Sequence, residues 1–184
     1  MSLTVRDLEN LQAQLPPEYE DYQLELHEGS IVVMGPSDIV SSEITARLIA
    51  FLFAWIEPRK LGRLFDSSGG FILPNTDLRA PDVSFISAER LPQSPRSFGE
   101  LVPDLVVEIK SRTDRVKKIE AKIKMLLELG ARIGILIDPD KLTVTIYRSG
   151  SEPIEFNNED ILTIPELFPG WELNVSQLWP PVFD

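Results

Sequence analysis

The chain has 184 residues, 43% of them hydrophobic and 26% charged, with no cysteine and a formal net charge of −11. That length suits one domain that can bury a core without covalent staples. The missing cysteines exclude disulfides, zinc–thiolate centres and cysteine nucleophiles, and the acidic balance argues against strong non-specific binding of nucleic acid.

No basic-then-apolar leader pattern opens the chain. The longest apolar run, residues 48–56, is nine residues long, whereas a bilayer span needs about 20. The expectation is a cytoplasmic protein with no membrane partner.

Residues 4–15 have the pattern of a short helix inside an N-terminal helical extension, 1–19. Thr4 is its N-cap and Pro16-Pro17 its end. Residues 22–27 and 30–34 flank Glu28-Gly29 as a hairpin. Pro36-Ser37-Asp38 opens a helix over 37–57 that is apolar nearly all round, which predicts burial, and Pro58 follows it.

Short strands are predicted at 62–66, 71–73 and 82–87, separated by Ser67-Ser68-Gly69-Gly70 and Pro74-Asn75. Residues 89–103 hold three prolines and read as a loop. A strand over 104–110 then leads into Ser111-x-x-Asp114, a capping-box pattern, with Thr113 as the alternative cap. The helix that follows carries Val116, Ile119, Ile123, Leu126 and Leu127 at helical spacing and stops at Gly130.

Residues 133–138 and 142–148 form a second hairpin around Pro139-Asp140-Lys141, and the tail is turn-rich. The strand–helix–strand crossover over 104–138 predicts a parallel pair. The fold class is therefore α/β or α+β, a mixed sheet with helices packed on it.

Two charged groups interrupt the apolar strand Leu105-Val106-Val107-Glu108-Ile109-Lys110. Buried charges are costly unless paired or bound to metal. Side chains alternate along a strand, so Glu108 and Lys110 are predicted to project together, with Cα atoms roughly 6.6 Å apart. Asp104 shares that face but lies about 13 Å from Glu108, too far to share one ion on a straight strand. Asp82, after Pro81, can approach from a neighbouring strand, and Asp104 is its rival.

Mg²⁺, or Mn²⁺, takes oxygen ligands and needs only one or two carboxylates. Asp82 and Glu108 are the candidate ligands, with the Ile109 carbonyl as a third oxygen. Lys110 is the candidate for orienting water or stabilising charge on a phosphate. A structural ion pair between Glu108 and Lys110 is the competing reading.

Glu43 is a candidate accessory acid on the 37–57 helix. Residues 110–132 hold eight basic and three acidic groups, a window of +5 in an acidic chain. Within it, Lys118 and Lys122 lie four apart on one helix face, as phosphate contacts or as a solvated surface. His27, the single histidine, is read as structural, and Trp55, Trp171 and Trp179 as packing residues.

Several ordered stretches resemble one family: Phe65-Asp66-Ser67-Ser68-Gly69-Gly70-Phe71, Arg79-Ala80-Pro81-Asp82-Val83, Val107-Glu108-Ile109-Lys110-Ser111, Leu136-Ile137-Asp138-Pro139 and Leu167-Phe168-Pro169-Gly170-Trp171. The chain is similar to the Uma-type restriction endonucleases of the PD-(D/E)xK nuclease superfamily. The resemblance implies a restriction-endonuclease-like fold and Asp82, Glu108 and Lys110 as the catalytic set. It also implies Mg²⁺ as cofactor, with Glu43 as an accessory acid and Lys122 as the family's helix lysine. A DNA endonuclease acting as a homodimer is the expected function. The alternative is a nuclease-fold binding module without activity, and RNA or a branched substrate is a further expectation.

Overall fold

Thr4 starts the first helix through its own chemistry. In this computed structural model, which describes residues 2–19 and 22–183, helix α1 spans Val5–Gln12. The Thr4 side chain accepts from the Asp7 N–H, and the Asp7 carboxylate accepts from the Thr4 N–H at 2.8 Å. This reciprocal cap satisfies donors that the first turn leaves free. Strands β1 (Gln23–His27) and β2 (Ser30–Met34) form the predicted hairpin. Glu28 (φ 49°) and Gly29 (φ 73°) supply the left-handed pair that a tight two-residue turn requires.

Helix α2 spans Ile39–Arg59, and its N-cap Asp38 accepts from the Ser41 N–H at 3.0 Å. Two expectations are corrected here. Pro58 lies inside the last turn, not beyond it, and the chain leaves the helix at Lys60 in the left-handed conformation. Nor is α2 buried all round. Ser41, Ile44, Leu48, Leu52 and Ile56 are buried along one stripe, while Ile39, Val40 and Phe53 are exposed, Phe53 by 52%. By length and a mean hydropathy of 1.6, α2 is apolar enough to cross a membrane. Its buried stripe packs into the protein core instead.

The remaining elements are β3 (Gly62–Asp66), β4 (Phe71–Ile72), β5 (Leu78–Arg79), β6 (Val83–Ser87), β7 (Leu105–Ile109), α3 (Val116–Glu128), β8 (Ile133–Asp138), β9 (Thr143–Tyr147), β10 (Ile154–Phe156), β11 (Ile161–Thr163) and β12 (Glu172–Asn174). The central sheet runs β10-β9-β8-β7-β6-β3. Its β7–β8 pair is parallel, joined through α3, and its other pairs are antiparallel. A second sheet runs β2-β1-β5-β4, and β11 pairs β12 in the tail.

Three boundaries differ from expectation. Strand β5 is two residues long and carries no periodicity to read. Ser111 and Asp114 do bond each other, at 2.6 and 2.9 Å, but in a turn: α3 begins only at Val116, after Arg115, which makes no side-chain cap. The tail carries three short strands where turns were expected.

The two faces of the central sheet have different partners. Val83, Phe85, Leu105, Val107, Ile109 and Ile135 face α2 and the C-terminal Phe168, Trp171 and Leu178. Ile86, Val106 and Leu136 face α3 through Ile119, Ile123, Leu126 and Leu127. Alternation therefore turns Asp82 and Glu108 toward α3.

Gly134 on β8 lets α3 approach, since a Cβ there would stand 2.3 Å from Ile123 Cγ2. A Gly134→Ala variant is expected to lose about 1–3 kcal/mol through overpacking, read as a lower urea midpoint.

Candidate active site

Antiparallel pairing of β6 and β7 sets Val83 opposite Val107. That register puts Asp82, just before β6, beside the end of β7. The Ile109 N–H donates to Asp82 Oδ2 at 2.7 Å. It is thus the amide of Ile109 that meets Asp82. Glu108 is 7% exposed and lies close enough for the Asp82 charge to act on it, while Asp82 itself is only partly buried and reaches the surface.

The lysine at this site is not the one the strand pattern favoured. Lys122 Nζ stands 2.7 Å from Glu108 Oε1. The approach is an ion pair off hydrogen-bond alignment, and that buried oxygen has no aligned donor among the described residues. Lys110 pairs instead with the exposed carboxylate of Asp140, which raises its pKa. The Lys110 N–H still donates to the Ile137 carbonyl at 2.9 Å, while its side chain goes to Asp140 beyond β8.

Electrostatics tie the cluster together. Burial pushes the Glu108 carboxyl up to about 7, with Lys122 opposing and Asp82 adding to the rise. Burial likewise raises Asp82, against the Ile109 N–H and Lys122. Burial works against the charged form of Lys122, yet Glu108, Glu25 and Asp82 outweigh it and hold its pKa above the ordinary lysine value. Glu108 is in contact with that ammonium, and the charges of Glu25 and Asp82 add to its hold.

Glu25 on β1 is a member that the sequence reading missed. It is 2% exposed, accepts from the Ala80 N–H at 3.1 Å, and lies 2.6 Å from His27 Nε2. Its signal was an acid between Leu24 and Leu26 in a strand buried on both faces.

The other candidates lie elsewhere. Glu43 holds Arg47 at 2.8 Å, one turn along α2, and is not brought to the carboxylates. Lys118 is exposed on α3. Asp104, the rival of Asp82, is 1% exposed at the far end of β7, accepting from the Ser87 N–H at 2.9 Å and from Arg90 at 2.8 Å. It is a structural anchor for the 87–104 loop. An Arg90→Ala variant is expected to lose about 1–2 kcal/mol in chemical denaturation while the Asp82–Glu108 site stays intact.

The three tryptophans pack as expected: Trp171 is buried, Trp179 donates to Asn158 at 2.8 Å, and Trp55 lies under Arg59. A cavity of about 670 Å³ lies between α1 and the 94–99 loop, lined by Phe65, Gly70 and Arg96 among others, and does not include Asp82, Glu108 or Lys122.

Among the described residues, no three acidic or histidine side chains form a ready metal cage. Mg²⁺ does not need one, since it keeps several waters and binds through one or two carboxylates. The Asp82–Glu108 pair, with its unaligned buried oxygen, fits that requirement.

A mixed sheet flanked by helices, with acids from adjacent strands meeting at one end, defines a restriction-endonuclease-like fold. A crystal structure of a putative nuclease belonging to DUF820 from Anabaena variabilis ATCC 29413 has this fold, with a TM-score of 0.79 at 23% identity over 96% of this chain and 97% of that one. Residues 8–176 match Uma2, the putative restriction endonuclease family, and the chain belongs to that family. No curated protein matches the chain.

Proposed function

We propose that the protein is a metal-dependent endonuclease of the PD-(D/E)xK type that hydrolyses DNA phosphodiester bonds. The observation that carries this reading is the placement of Asp82 against the end of the Glu108 strand, with the partly buried ammonium of Lys122 on Glu108. Carboxylates in excess of cations inside a protein call for a compensating positive charge. Asp82 and Glu108 would hold Mg²⁺ or Mn²⁺, with the Ile109 carbonyl as a third oxygen. An ion held there would polarise the scissile phosphate and lower the pKa of a bound water.

Lys122 takes the role first assigned to Lys110. With a cation on Glu108, the Lys122 ammonium would be free to stabilise charge on the phosphate. Lys117, Lys118 and Lys124, exposed on α3, supply phosphate contacts along the approach to the site. The exposed apolar residues of α2 favour a homodimer, which would pair two sites for double-strand cleavage.

The test is plasmid nicking with Mg²⁺ or Mn²⁺, with chelator as control. Cleavage is expected only with metal, and DNA binding is expected to weaken steeply with salt. Metal-independent nicking would contradict the reading.

A second reading is a binding module without activity, favoured by the Lys122–Glu108 contact at the place a cation would use. Thermal stability separates the two. A ligand that binds the folded state raises stability, so Mg²⁺ raises Tm under the first reading and leaves it unchanged under the second.

A further inference from the structure

We infer that Glu25, backed by His27, is a positioning residue of the nuclease site, fixing the turn that carries Asp82 and sharing Lys122 with Glu108. The inference rests on the metal-dependent reading above.

Glu25 belongs to a different sheet from Asp82 and Glu108. Strand β1 reaches the site because Leu26 pairs with Leu78 on β5. From there, Glu25 Oε1 accepts from the Ala80 N–H, two residues before Asp82. Pro81 stands between them and restricts the backbone, so the bond at Ala80 limits where Asp82 can go. On its other oxygen, Glu25 meets His27 Nε2, on a side chain that is 29% exposed.

A carboxylate this deeply buried is expensive to hold ionised. His27, Lys122 and the Ala80 N–H together outweigh the burial and keep its pKa below the usual value. The Glu25 charge in turn helps hold Lys122 in its ammonium form. A residue needed only to tie β1 to the Ala80 backbone would not require a charge, since a glutamine amide oxygen accepts the same bond. His27, 2.6 Å away, is the first group to favour that charge, and Lys122 adds to it. With Glu25 in place, the ammonium has a second carboxylate to lean on when a cation occupies Glu108. Groups that orient metal ligands in this way typically alter metal affinity 10–100-fold when removed.

His27 is the chain's single histidine, so its imidazole gives one unambiguous NMR signal. The experiment titrates Mg²⁺ into the full chain, following that signal alongside calorimetric Mg²⁺ affinity, for the wild type, Glu25→Gln and Asp82→Asn. The wild-type signal is expected to shift in step with Mg²⁺ binding. Glu25→Gln is expected to lose the shift and to bind Mg²⁺ about tenfold more weakly, and Asp82→Asn to lose both responses.

Mg²⁺ binding with an unmoved His27 signal, or Glu25→Gln affinity equal to wild type, overturns the inference and leaves the nuclease reading standing. If the wild type binds no Mg²⁺, the nuclease reading fails and this inference falls with it. Should Glu25→Gln fail to fold, the wild-type shift alone decides.

Discussion

Lys122→Ala is expected to lose about 3–5 kcal/mol of stability and all metal-dependent nicking, while Lys110→Ala keeps both. The asymmetry follows from burial. Lys122 faces a Glu108 that is 7% exposed, and deleting the ammonium strands that carboxylate without a partner. Lys110 faces Asp140, whose side chain is 70% exposed, so water replaces the lost partner. An exposed pair contributes about 0–1 kcal/mol. Urea unfolding of both variants, with nicking on the same preparations, measures the contrast. A Lys122→Met variant fills the same space without charge. Equal losses for Lys110→Ala and Lys122→Ala would return the strand lysine to the site.

Asp82→Asn is expected to slow metal-dependent nicking at least about 10³-fold, equivalent to about 4 kcal/mol of lost transition-state stabilisation. The asparagine oxygen still accepts from the Ile109 N–H, so the β6–β7 junction keeps its geometry. Only the charge goes, and Tm without metal should change little. The Mg²⁺-induced rise in Tm should vanish in the same variant. Unchanged nicking by Asp82→Asn would remove Asp82 from the site.

The sequence exposed those parts of this architecture that depend on local chemistry or unbroken periodicity. The Thr4 cap and the Glu28-Gly29 turn were legible because each has a short-range cause, and the parallel pair across α3 because the strand–helix–strand order requires it. Asp82 was expected to approach Glu108 from a neighbouring strand, with Asp104 as its rival, and the β6–β7 register puts Asp82 against the end of β7.

Lys122 was half legible. Its spacing with Ile119 and Leu126 puts it on the buried face of α3, but pairing it with Lys118 suggested an outer surface. Lys110 misled because its partner, Asp140, lies in the turn after β8, 30 residues along the chain, where no strand spacing could reveal it. Glu25 was hidden by its context, since a hairpin strand normally tolerates an acid, and it becomes interior only because β5 pairs with β1 and brings the Ala80 N–H to it. The burial of α2 was overestimated because composition cannot tell which side of an apolar helix the core will cover.

A metal-dependent nuclease site requires a cation held between Asp82 and Glu108. Crystals grown with Mn²⁺ and measured at an anomalous wavelength would locate it. The predicted result is one peak about 2.1 Å from carboxylate oxygens of both Asp82 and Glu108, with the Lys122 ammonium moved off Glu108 Oε1. A peak that avoids both acids, or no peak while Lys122 still rests on Glu108, would contradict it.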